Sequence, residues 1–159
     1  MGIRNAAKAL LIKEDSILLN QYMNSKGRVY YDLPGGGQNQ FETMEEALTR
    51  EVLEETGYAV EPVRFAALVE EIYEDEELRC QAPDHVHRIH HIFEVKLLEE
   101  DRKETLDKDL EQTDCIWVPI EEVVSLDLRP QPLGRHLQNI ISGLNPMYLG
   151  SVRMPSDET

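Results

Sequence analysis

Leu33 to Tyr58 reads LPGGGQNQFETMEEALTREVLEETGY, three consecutive glycines running into a helix rich in glutamate. The ends of that helix are written locally. Thr43, with Glu46 three residues on, forms a capping box, and Gly57 supplies the stop. Each helical residue turns by about 100°, so Glu51, Glu54 and Glu55 fall within a sector of roughly 100°. Like charges at this spacing repel by a few tenths of a kcal/mol per pair. Hard divalent cations remove that penalty, because Mg²⁺ and Mn²⁺ take carboxylate oxygens together with substrate phosphates. Leu48 and Val52 lie beside the patch and place it at the edge of a core. Glutamate is also a good helix former, and a solvated acidic face explains the helix alone about as well. The adjoining glycines, which let backbone groups approach a ligand, favour a binding role.

Upstream, Ala6 to Ile12 and Ile17 to Tyr22 read as strands of a hairpin joined through KEDS, and VYYDL is a short strand stopped by Pro34 and the glycines. Downstream, Val60 to Tyr73 reads as one strand or two short ones. EDEELRCQAPD is a charged loop, and Val86 to Leu98 a long strand. EEDRKETLDKDLEQTD is too polar to pack, and CIWV is a short buried strand ending at Pro119. Helical pieces follow around IEEVVSL and LGRHLQNIISGL, and the remainder, NPMYLGSVRMPSDET, reads as loosely held. Strands on both sides of a central helix, then a terminal helix, indicate an α/β fold with a mixed sheet and helices on its faces.

The chain of 159 residues fits one domain, expected over 4–145 with 146–159 as a C-terminal tail. A hydrophobic fraction of 41% and a charged fraction of 30% suit a globular protein. No apolar run approaches the roughly 18 residues of a membrane span, and the start lacks a signal-peptide pattern. Two cysteines, Cys80 and Cys115, have no metal-ligand spacing around them and read as reduced thiols of a cytoplasmic protein. A net charge of −15 argues against an extended nucleic-acid surface. A small polyanion stays compatible with it when cations held by the protein reverse the local sign.

Gly36, five residues, Glu42, seven residues, Arg50-Glu51-Val52, one residue, Glu54-Glu55, one residue, Gly57-Tyr58 resembles the Nudix box. Every charged and glycine position of that pattern is filled, and Tyr58 replaces the usual bulky aliphatic residue. The resemblance implies a Nudix-type α/β/α sandwich with a mixed sheet. It also implies a hydrolase that cleaves the pyrophosphate linkage of a nucleoside diphosphate joined to another moiety, by attack of water on phosphorus. Carried over, Glu51, Glu54 and Glu55 are metal ligands with the Gly36 carbonyl as a further oxygen, and the cofactor is Mg²⁺ or Mn²⁺. Glu54, Glu55 and Arg50 are the expected catalytic set. Arg50 fixes a neighbouring carboxylate, while Glu42 stands at the helix start, where negative charge is favoured. The alternative is a non-catalytic Nudix module that senses a nucleotide; the intact glutamates favour catalysis.

A general base is often supplied from outside the box. Glu94 and Glu111 are the candidates, with Glu99 and Glu100 behind them, although each reads individually as a surface charge. Tyr30 and Tyr31 precede the glycines, and Tyr31 is taken as a substrate-stacking candidate against a plain packing role. Tyr73 lies near the place of a tyrosine associated in the family with dinucleoside polyphosphate hydrolases, and is the second substrate-binding candidate. His85, His87, His90 and His91 share one stretch, where alternation puts His90 and His91 on opposite faces; they read as polar strand residues rather than zinc ligands. Trp117 reads as core. The expected partner is a small nucleotide, and the sequence leaves the oligomeric state open, a homodimer included.

Overall fold

The computed structural model describes residues 2–103, 112–143 and 145–155. Strands β1 (Arg4–Lys13) and β2 (Ser16–Met23) are joined through a tight turn in which Glu14 has φ 54°. They pair only beside that turn, Ile12 with Ile17 and Lys13 with Ser16, and then diverge. The edge of β1 exposed by this divergence is taken by the glycine loop. Ala9 N–H donates to the Pro34 carbonyl at 2.8 Å and Ala7 N–H to that of Gly36 at 2.9 Å, while Gln38 N–H donates to Asn5 at 3.0 Å. The loop is thus bonded along a buried strand, which fixes where the following helix begins.

The chain continues through β3 (Val29–Asp32), α1 (Met44–Thr56), β4 (Val60–Tyr73), α2 (Glu76–Gln81), β5 (His87–Leu97) and β6 (Gln112–Pro119). A 3₁₀ turn (Val123–Ser125), β7 (Leu128–Arg129), α3 (Gln131–Ser142) and β8 (Met147–Met154) follow. The sheet runs β7-β3-β2-β1-β5-β4-β8, with β6 paired to β2 off this path. It is mixed and curled: β1–β5, β3–β7 and β4–β8 are parallel, the other pairs antiparallel.

Alternation along β1 builds both faces of this sandwich. Ala7, Ala9 and Leu11 pack with Ala47, Leu48 and Val52 of α1, whereas Leu10 packs with Leu133, Leu137 and Ile140 of α3. Helix α1 starts on the expected reciprocal capping box between Thr43 and Glu46 and ends on Gly57, at φ 75°. Leu48 is fully buried in the α1 layer. Leu48→Ala is therefore expected to lower the unfolding free energy by about 2–5 kcal/mol, measured by denaturant titration.

The structure corrects several local expectations. The charged stretch after Tyr73 is not all loop, because Asp75 accepts from Leu78 N–H at 2.9 Å and starts the short helix α2. The segment expected to be loosely held contains β8, which lies parallel along β4 with Ala67 opposite Met147 and Tyr73 opposite Met154. Strand β6 begins at Gln112, ahead of CIWV, since Gln112 pairs with Tyr22 across a bulge. The helix around IEEVVSL reduces to the 3₁₀ turn. Most of the polar stretch before Gln112 lies outside the described residues. No helix among them is long and apolar enough to cross a membrane.

Candidate active site

Helix α1 presents Glu51 and Glu55, one turn apart, to a cavity of about 430 Å³ that the glycine loop also lines. Glu55 is only 4% exposed. Its Oε2 accepts from Gly35 N–H at 2.8 Å and from Asn20 Nδ2 at 2.7 Å, so the loop and β2 both fix the carboxylate. Glu54 stands beside them, more exposed and outside the cavity lining. The helical sector of three glutamates is thus real, but two of them face the cavity directly.

Arg50 organises the acidic face. Its Nε donates to Glu42 at 2.7 Å, its Nη1 to Glu51 at 2.7 Å and Glu54 at 3.2 Å, and its Nη2 to the Gly37 carbonyl at 3.1 Å. The Arg50 hydrogen bond, followed by one from Asn39 N–H, holds the Glu42 carboxyl at about 2. The Glu42 hydrogen bond in turn raises Arg50 above the ordinary guanidinium range, against partial burial. Each partner thus favours the ionised form of the other.

Among the described residues no three His, Cys, Asp or Glu side chains converge closely enough, as placed, to hold a metal ion. The donor chemistry nevertheless suits a hard cation: carboxylates of Glu51 and Glu55 beside the Gly36 carbonyl, whose one bond from Ala7 leaves a lone pair. A Cβ at Gly36 would lie 2.4 Å from Glu51 Oε2, so the missing side chain is what lets the carboxylate rest against the loop. The Arg50 guanidinium supplies positive charge to Glu51 and Glu54 in this arrangement.

The sheet contributes a second set of polar groups, of which sequence patterns single out Tyr73 and His90 but not Lys8, Asp32 or Glu71. Lys8 donates to Asp32 at 2.7 Å and to the Leu33 carbonyl at 3.2 Å. Burial disfavours its charge, but Asp32 and then Glu55 outweigh that and raise Lys8 above the ordinary lysine value. His90 Nε2 lies 3.2 Å from Glu71 Oε2, both side chains being almost fully buried. Burial pushes the Glu71 carboxyl up; the His90 hydrogen bond and the charges of His90, Arg88 and Lys8 reverse this and hold it low. Burial, then Glu71, raises the Tyr73 hydroxyl above its usual range. For Lys8 one sequence signal existed, a lysine inside the apolar run AAKALLI. The Glu71–His90 pairing had none, because nineteen positions separate the partners.

The structure brings Gly36, Glu51, Glu55 and Tyr73 to one cavity. Of the two adjacent tyrosines it places Tyr30 there; Tyr31, on the other face of β3, accepts from Gln21 at 3.1 Å and packs against the α3 layer. Glu94 is bound by Arg64 at 2.6 Å, whose Nη2 also holds the Ile140 carbonyl, and it does not line the cavity. Glu111 lies outside the described residues. His90 is at the cavity, His91 on the opposite face near Phe65, and His87 pairs with Glu70 at 2.7 Å. Trp117 packs half-buried against the Tyr58 ring, edge to face, in the α1 layer.

The model of the NUDIX domain matches residues 2–139. Solved structures share the fold. A NUDIX hydrolase from Nitrosomonas europaea superposes with a TM-score of 0.68 at 19% identity, over 89% of this chain and 90% of that one. A MutT protein from Bacillus halodurans gives 0.67 at 19% identity, over 99% and 94%. An ADP-ribose pyrophosphatase from Streptococcus suis gives 0.63 at 17% identity, over 92% and 99%.

Proposed function

The chain belongs to the NUDIX family of hydrolases, and from that premise we propose that it cleaves the pyrophosphate linkage of a nucleoside diphosphate joined to another moiety, with Mg²⁺ or Mn²⁺. One observation carries this reading: Glu51 and Glu55 face a single cavity beside a glycine loop whose Gly36 makes room for the Glu51 carboxylate. Glu51, Glu54, Glu55 and the Gly36 carbonyl would hold the cation. When bound, a divalent cation neutralises phosphate charge and lowers the pKa of an attacking water.

The protein's own groups prepare the remainder. Arg50 fixes the rotamers of Glu51 and Glu54 from one side, and Gly35 N–H and Asn20 fix Glu55 from the other, so the carboxylates are ordered before substrate arrives. Lys8, buried and kept charged by Asp32, faces the same cavity and favours a polyanion there. Glu94 is held by Arg64, so the proton acceptor in this reading is a glutamate of α1 or Glu111, which lies outside the described residues.

Purified protein is expected to release a mononucleotide from at least one nucleoside diphosphate derivative, and only with divalent metal. Mg²⁺ or Mn²⁺ alone should also raise its melting temperature, by mass action on the folded state. Absence of turnover across nucleotide sugars, ADP-ribose, nucleoside triphosphates and dinucleoside polyphosphates, together with a retained nucleotide-induced melting shift, would replace the catalytic reading by a sensing one.

A further inference from the structure

In a chain with 31 acidic and 16 basic residues, cations near a cavity are expected to be paired. Lys8 pairs with Asp32, and Arg50 with three glutamates. Arg4 and Arg88 line the same cavity, yet among the described residues neither has a carboxylate oxygen within ion-pair distance. They are also direct neighbours, Arg4 on β1 opposite Arg88 on β5. Like charges in adjacent register positions are destabilising, and an anion between them reverses the sign.

The backbone around the pair accommodates this arrangement. A Cβ at Gly37 would lie 2.1 Å from Arg4 Nη2, so the guanidinium occupies space that only a glycine leaves. This sets Arg4 immediately beyond Gly36, where Glu51 rests. Arg88 is anchored by its Nε, which donates to the His85 carbonyl at 2.8 Å, and its guanidinium lies 5.6 Å from the centre of the Tyr73 ring. Its terminal N–H groups have no protein acceptor among the described residues. Glu71 neighbours Arg88 across β4, but its carboxylate is turned to His90.

Beyond Arg88 the space continues. A second cavity of about 350 Å³ shares Tyr30, Tyr73, His85, Arg88 and Arg129 with the first. Arg129 also faces both, its guanidinium 4.2 Å from the centre of the Tyr30 ring. Arg4 thus stands beside the glycine loop where Glu51 rests, and Arg88, its neighbour, belongs to the wall shared with the outer cavity.

We propose that Arg4 and Arg88 form an anion-binding position next to the carboxylate end, which holds a phosphoryl group other than the two joined by the cleaved bridge. The protein then prefers substrates with three or more phosphoryl groups over those whose second moiety is an uncharged sugar. This rests on the hydrolase reading above and assigns the substrate class to it. An uncharged sugar leaves two neighbouring guanidinium groups without a hydrogen-bonded anion, whereas a phosphoryl group accepts charge-assisted hydrogen bonds from both.

The test compares ADP-glucose, ATP and diadenosine tetraphosphate with the full-length protein in excess Mg²⁺. We expect kcat/KM to be about tenfold or more higher for the two polyphosphates, the factor of one charge-assisted hydrogen bond. Arg88→Gln and Arg4→Gln should reduce that preference about tenfold, mainly through KM. Inorganic tripolyphosphate should raise the melting temperature of the wild type and do so less in both variants. That readout does not need turnover, so it separates this inference from the activity. Loss of the tripolyphosphate shift in the variants supports the arginine position even in a protein that hydrolyses none of the three. Equal kcat/KM on ADP-glucose and the polyphosphates, one common factor of loss in the variants, or a tripolyphosphate shift absent from the wild type or unchanged by the substitutions would overturn it.

Discussion

Glu55→Gln is expected to lower kcat by roughly 10²–10⁴-fold, the range typical of a positioned proton-transfer group, while the protein stays folded. The structure explains both halves of this outcome. Two hydrogen bonds to Glu55, from Gly35 N–H and Asn20 Nδ2, reach the same oxygen, Oε2. A glutamine carbonyl oxygen can accept both, so loop and helix remain joined. What disappears is the negative charge, which is needed to hold a cation or accept a proton. Lys8 loses one of its two carboxylate neighbours but keeps Asp32 at 2.7 Å. The measurement is steady-state kinetics at saturating Mg²⁺ and Mn²⁺, with a thermal melt as the control for folding. Near wild-type turnover in a folded Glu55→Gln protein would remove the α1 carboxylates from the catalytic centre.

The largest structural effect is expected from Gly35→Ala. Gly35 has φ 123°, a conformation that side-chain-bearing residues avoid. Its Cβ would also lie 2.1 Å from the Ala7 carbonyl oxygen and 3.1 Å from the Lys8 Cα. These are backbone atoms of a buried strand bonded on both edges, so they cannot swing aside. Backbone strain of about 1–3 kcal/mol and overpacking of about 1–3 kcal/mol act together. Melting should fall by roughly 5–20 °C in a protein of this size. Activity should fall as well, since displacing the loop breaks the Gly35 N–H bond to Glu55. Gly36→Ala is the informative contrast: the atoms nearest its Cβ would be those of the Glu51 carboxylate, the far end of a flexible side chain, at 2.4 Å. It should melt near the wild type yet lose activity. A Gly35→Ala protein melting within about 2 °C of the wild type would show that the loop is not held against β1 as described.

What the sequence by itself determined lies within short stretches of chain. The capping box at Thr43, the stop at Gly57 and the turn-by-turn spacing of Glu51, Glu54 and Glu55 depend on contacts three or four residues apart, so local chemistry specifies them. The length of the motif carried the family, strand-like runs carried β1 and β5, and alternation carried the separation of His90 from His91. The tertiary structure decided what depends on pairing between distant segments. Strand β8 exists because β4, some eighty residues earlier, offers it a parallel edge. Arg4 meets Arg88, and Glu71 meets His90, only through strand register, which no local pattern encodes. The same holds for the choice of Tyr30 over Tyr31 at the cavity and for the withdrawal of Glu94 to Arg64. A helix carries its geometry in its own hydrogen bonds, whereas a strand acquires its neighbours from elsewhere in the chain. The acidic half of the site was therefore legible in sequence, and the half built on the sheet was not.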